Sequence, residues 1–178
     1  NCTSLKKVTL NKGLLEIESY AFSKCSVLQQ INLPDSLTLI GSTAFENCKK
    51  LEEISIPDSV TSIRYNAFKG CESLKKITLP KKLTVIEKHM FSGCASLVEI
   101  EIPKEVTVIE EYAFNNCDAL VTLTLPETLQ KIDKYAFYDC DALASISIPD
   151  KVASLGNYVF AECDSLTNVK LGTGIVTI

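Results

Sequence analysis

Apolar residues return along this chain in a fixed frame of 23. Leucines stand at 5, 28, 51, 74, 97, 120, 143 and 166, and phenylalanines at 22, 45, 68, 91, 114, 137 and 160. Counted from the cysteine that precedes each leucine by three, aliphatic residues recur at offsets 6 and 8, as in Ile54 and Ile56, and again at 12 and 15, as in Val60 and Ile63. The short I-x-L run alternates apolar and polar positions, the period of a half-buried strand. A proline follows it in six copies (Pro34, Pro57, Pro80, Pro103, Pro126 and Pro149) and removes a backbone donor where the strand must stop. From Ile63 to Ala67, Phe68 and Cys71 the apolar offsets are 0, 4, 5 and 8. That spacing predicts a short helix or a few tight turns returning the chain.

A fixed period of this length is the mark of a solenoid, in which one unit stacks on copies of itself. A single coil has no partner for its apolar face, so neighbouring coils must bury it. The expected fold is therefore an α/β solenoid with short parallel strands on one face and short helices or turns on the other. Stacking at about 4.8 Å per coil makes a rod of roughly 35–40 Å. The expected organisation is one array, 1–178, of about eight 23-residue coils. Neither Asn1 nor Ile178 carries the polar cap of a free solenoid end, so the array reads as part of a longer one.

The eight cysteines fall at 2, 25, 48, 71, 94, 117, 140 and 163, always at the same place in the repeat. Equivalent positions should line up inside the stack as a ladder of free thiols. Pairwise disulfides would split equal coils into two alternating kinds, and the sequence shows no such alternation. There is no C-x-x-C and a single histidine, His89, so zinc has no ligand set. His89 has no nucleophile or orienting partner in the pattern, and no convergent catalytic group is visible, so no enzyme activity and no cofactor is expected. Glu53, Glu99 and Glu101 share a face but lack the acidic loop spacing of a calcium site. Net charge is −4, with short Lys pairs interspersed with Glu pairs, which excludes a basic stripe for nucleic acid.

The unit C-x-x-L-x-x-I-x-L-P-x-x-L-x-x-I-x-x-x-A-F-x-x resembles the BspA-type leucine-rich repeat, most cleanly over residues 41–63, and the resemblance covers the whole chain. Met90 and Val159 stand for alanine, Asn11 and Gly172 for proline, and Leu155 for isoleucine, all local packing changes. The resemblance implies a right-handed leucine-rich repeat superhelix. It also implies a non-catalytic, adhesion-type protein-binding module of a cell-surface or secreted protein, with host extracellular matrix proteins such as fibronectin or fibrinogen as partners. The alternative is a structural stalk displaying another domain. Direct membrane contact is not expected, and the oligomeric expectation is a monomer or a weak end-to-end dimer.

Two surfaces stand out in this frame. Residues flanking the buried strand aliphatics point outward and form the rows on which a partner of such a repeat would sit. Lys7, Gln30, Glu53, Lys76, Glu99 and Thr122 belong to one row, and Glu101 and Thr124 to the other. On the return side Tyr112, Tyr135 and Tyr158 share the position two before phenylalanine, with Tyr20 in the first coil. Two readings are open: they stack along the rod with their hydroxyls in water, or Tyr112, Tyr135 and Tyr158, joined by Tyr138, form an aromatic contact strip for a partner.

Overall fold

The computed structural model describes all residues, 1–178. Each coil opens with a three-residue strand. These are β1 (Lys7–Thr9), β3 (Gln30–Asn32), β5 (Glu53–Ser55), β7 (Lys76–Thr78), β9 (Glu99–Glu101), β11 (Thr122–Thr124), β13 (Ser145–Ser147) and β14 (Asn168–Lys170). A two-residue strand follows in the first six coils: β2 (Glu16–Ile17), β4 (Leu39–Ile40), β6 (Ser62–Ile63), β8 (Val85–Ile86), β10 (Val108–Ile109) and β12 (Lys131–Ile132). Every pairing is parallel and in the 23-residue register, for example Val8 opposite Ile31 and Ile54 opposite Ile77. The second strand has no separate sign in the sequence, because two residues are too few to show a period.

Between the strands the chain turns where proline ends the run. The Pro34 carbonyl accepts the Leu37 N–H at 3.0 Å, and Pro57, Pro80, Pro103, Pro126 and Pro149 repeat the bond. Asn11 and Gly172, which replace proline, keep the same turn through Leu14 and Ile175. The interior is one apolar cluster of 46 buried residues. Phe45, Phe68, Phe91, Phe114 and Phe137 are fully buried, and their rings stack coil on coil with centroids 5.3 to 5.9 Å apart.

No helix forms, so the α/β expectation is corrected: this is a parallel-strand solenoid whose return side consists of stacked turns. The physical cause lies in two backbone positions of the return. Offset 18 holds left-handed φ in Tyr20, Thr43, Asn66, His89, Tyr112, Tyr135 and Tyr158. Offset 22 does so in Lys24, Asn47, Gly70, Gly93, Asn116, Asp139 and Glu162. A left-handed residue interrupts the run of right-handed residues that an α-helix requires. Its effect here is to send alternate N–H groups out of the coil. Tyr112, Phe114 and Asn116 donate to the carbonyls of Lys134, Ala136 and Tyr138 in the next coil at 3.3, 2.8 and 2.9 Å. The intervening Ala113 and Asn115 donate within their own coil, three residues back. This three-bond ladder is present at each of the six junctions from the first coil to the seventh, so the return backbone has its polar groups satisfied.

The strand face is less regular. Its ladder joins β1 to β3, β5 to β7, β9 to β11 and β13 to β14, and is absent at the junctions between these pairs. The adjoining bond from offset 4 follows the same rhythm, with Gln29, Lys75, Val121 and Thr167 donating to Lys6, Glu52, Val98 and Ala144. A two-coil alternation therefore exists in the backbone although none is written in the sequence. Nothing in the side chains explains it.

The thiol ladder is present, and all eight cysteines are free. Cys25, Cys48, Cys71, Cys94, Cys117 and Cys140 are buried, whereas Cys163 is half-buried and Cys2 exposed in the end coils. Each thiol from Cys48 to Cys163 donates to the carbonyl of the phenylalanine 26 residues back, at 3.0 to 3.3 Å. Burial pushes Cys48 and Cys94 up to about 12, Cys71 and Cys117 also upward, and keeps these groups neutral.

Candidate interaction surface

The three-residue strands carry the burial pattern exposed, buried, exposed, because successive side chains leave a strand on opposite sides. All eight residues expected on this face are exposed: Lys7 on β1, Gln30 on β3, Glu53 on β5, Lys76 on β7, Glu99 and Glu101 on β9, and Thr122 and Thr124 on β11. Five of them, Lys76, Glu99, Glu101, Thr122 and Thr124, come together along a shallow groove of about 710 Å³ that crosses β7, β9 and β11. Lys7, Gln30 and Glu53 lie on the same face outside it. A second groove of about 630 Å³ continues over Ser145, Ser147 and Lys170. Each groove crosses a junction that lacks the ladder, β7 to β9 in the first and β11 to β13 in the second.

Off this face, several opposite charges in neighbouring coils find each other. Lys49 meets Glu72 at 2.7 Å, Glu52 meets Lys75 at 2.9 Å, Asp58 meets Lys81 at 3.0 Å, and Glu111 is shared by Lys88 and Lys134 at 2.8 and 3.1 Å. The hydrogen bond from Lys88, assisted by Lys134, lowers the Glu111 carboxyl below its ordinary range. None of the ion pairs includes a strand-face residue, although Glu53 and Lys76 are register partners of opposite sign. The strand face thus presents Lys7, Glu53, Lys76, Glu99, Glu101 and Lys170 with no internal counter-charge in contact.

On the return side Tyr112, Tyr135 and Tyr158 do stack, with centroids 4.7 and 5.1 Å apart, and His89 extends the column below Tyr112 at 4.8 Å. Tyr138 meets Tyr135 edge-on. Inside the column the rings cover one another's faces, while Tyr158 at its end is exposed. Burial, then Lys69 and Lys88, lower His89, which keeps the imidazole neutral inside the column. Sequence reasoning placed this column but missed that its position is left-handed. The signal was the mixture found there, since Asn66 and His89 are residue types that tolerate positive φ while tyrosine hides it. It also missed Val98 and Val121, which are 47% and 44% exposed beside the strand face.

No group of three or more His, Cys, Asp or Glu side chains gathers as a metal site would require. No nucleophile, base and orienting group converge in the grooves, whose lining is Lys, Glu, Thr, Pro and aliphatic residues with Ser, Asp and Gly in the second. The arrangement offers many shallow polar contacts on a preformed surface.

Fold and surface together define a leucine-rich repeat scaffold. The BspA-type leucine-rich repeat region matches in six copies, over residues 1–120 and 86–178, and the chain belongs to that family. Its fold is similar to a leucine-rich repeat protein from Bacteroides ovatus, with TM-score 0.85 and 28% identity over 100% of this chain and 57% of that one. It is also similar to the leucine-rich repeat protein of T. pallidum, with TM-score 0.64 and 32% identity over 93% of this chain and 69% of that one. A leucine-rich cell surface protein from Faecalibacterium prausnitzii aligns with TM-score 0.62 and 25% identity over 97% of this chain and 65% of that one. The chain thus spans little more than half the length of the Bacteroides ovatus protein. Among curated proteins nothing matches.

Proposed function

We infer that the chain is a non-catalytic, protein-binding part of a cell-surface or secreted protein, and that its strand face meets the partner. The observation that supports this most directly is that six charged residues crowd the strand face and none makes an ion pair within the chain, although Glu53 and Lys76 are register partners of opposite sign. A partner that supplies the missing counter-charges would gain orientation and encounter rate from them. The surface setting is supported by the family and by the likeness to a protein described as a leucine-rich cell surface protein. Host matrix proteins such as fibronectin and fibrinogen are the partners to try first.

The test is surface plasmon resonance of the purified chain over immobilised matrix proteins, followed by charge reversal at Glu99 and Glu101 and, separately, substitution of Tyr112 and Tyr135. Loss of binding with the glutamates and retention with the tyrosines is the expected result. The alternative reading, a stalk that displays another domain, draws on the unbroken return ladder, which gives the rod one continuous side. Absence of binding to every matrix protein would favour it.

A further inference from the structure

Charge is divided along the rod. Residues 1–89 hold thirteen Lys and Arg against nine Asp and Glu, a net of +4, and residues 90–178 hold five against thirteen, a net of −8. The division is sharpest on the corner between the return turns and the strand face, at offsets 21 to 25 of the repeat. In the early coils this corner carries Lys24, Lys49, Lys50 and Lys69, with Glu46 and Glu72 beside them. In the late coils it carries Asp118, Asp139, Asp141, Glu162 and Asp164 and no cation. Between the two lies a coil with Ser92, Gly93, Ala95 and Ser96, all small and uncharged. Lys24, Lys49, Lys50, Asp118, Asp141, Glu162 and Asp164 are exposed. The acidic side chains crowd one another, since Asp118 is raised by burial and then by Asp139 and Asp141.

We propose that this corner is a self-recognition surface, on which a second copy of the chain lies side by side and antiparallel. A two-fold axis perpendicular to the rod and passing through the Cys94 coil brings the net-cationic end of the corner onto the acidic end of the second copy. The Cys71 coil maps on the Cys117 coil, Cys48 on Cys140, and Cys25 on Cys163. Lys69 then faces Asp118, Lys50 faces Asp139 and Asp141 beside Lys49, which is already paired with Glu72, and Lys24 faces Glu162 and Asp164. Such an isologous contact uses the same patch twice, so both ends of the corner gain opposite charge at once. The small residues of the Cys94 coil permit close approach at the axis. Individual exposed ion pairs are weak, so the dimer is salt-sensitive and concentration-dependent. This surface is distinct from the strand face, which the pairing leaves open, and the two readings stand or fall separately.

The test is sedimentation velocity and small-angle scattering of the chain at low salt and at about 1 M salt, where the screening length falls to roughly 3 Å. One variant carries Lys24→Glu, Lys50→Glu and Lys69→Glu, and the other Asp118→Lys, Asp141→Lys and Asp164→Lys, with folding of each checked by circular dichroism. The expected result is a dimer at low salt that high salt dissociates, with a maximum dimension close to that of the monomer. Each variant alone is monomeric, and an equimolar mixture of the two restores the dimer. A wild-type chain that stays monomeric at low salt overturns the proposal. So does a dimer of doubled length, a dimer that survives either charge reversal, or two folded variants that fail to pair with each other.

Discussion

The thiol of Cys94 donates to the carbonyl oxygen of Phe68, 3.3 Å away in the preceding coil, and that oxygen also accepts the N–H of Cys71 at 3.2 Å. The repeated cysteine is therefore a small apolar residue with one donor in use, and its protonated state belongs to the fold.

Labelling with a thiol reagent at pH 8 should accordingly modify Cys2 at once, Cys163 more slowly, and the six buried thiols only on unfolding. Rapid native-state labelling of Cys48 or Cys94 would contradict the ladder. The pH dependence follows from the same groups. Their folded values of about 12 lie above the ordinary 9.0, so the stability they contribute is complete below about 9 and lost as pH rises towards 12. Chemical denaturation across that range should show stability falling, and falling less when Cys48 and Cys94 are both alanine.

Leu97 is fully buried in a central coil. Leu97→Ala should cost about 2–5 kcal/mol, because neighbouring coils hold the cavity open. Equilibrium unfolding measures it, and a loss below about 1 kcal/mol would show that the site collapses freely.

Gly93 has φ of 75° and space for a methyl group, the nearest atom being Gly70 Cα at 3.5 Å. Substitution therefore tests backbone conformation alone. Gly93→Ala should destabilise by about 1 kcal/mol, and Gly93→Asn by less, since asparagine enters the left-handed region more readily. Asn47 and Asn116 occupy the equivalent position already. Thermal melts of both variants give the comparison.

His89 is held below its ordinary value by burial, then by Lys69 and Lys88, with Glu111 opposing and Tyr112 stacked on the ring. A histidine lowered in the folded state contributes stability above its unfolded value near 6.5 and loses it as pH falls through the folded value. Going from pH 7 to 5, the parent chain should therefore lose more stability than His89→Asn, a residue the same position accepts as Asn66. Equal slopes in the two proteins would show that the imidazole is freely solvated.

The parts legible in the sequence were those that recur identically. Leu97, Phe91 and Cys94 return at one offset and point inward, so position in the repeat was enough to place them. The outward residues Lys76 and Glu99 were legible for a similar reason, since a strand must alternate. The return segment was not, because apolar offsets 0, 4, 5 and 8 suit a helix and a stack of turns equally well. Gly70, Gly93 and Asn116 announced left-handed backbone, yet Tyr112, Tyr135 and Lys24 in the same two columns concealed it. The pairing of β5 with β7 but not with β3 has no counterpart in residue type. Which charges would find partners was also invisible, because Glu52 and Glu53 look alike in the sequence and only Glu52 reaches a lysine.

Because the N–H groups at offsets 18, 20 and 22 always seek the carbonyls 22 residues ahead, any interior copy supplies what the one before it lacks. Gain or loss of one 23-residue module by gene duplication or deletion would leave every such bond with an equivalent partner. The return side thus sets no limit of its own on the number of coils.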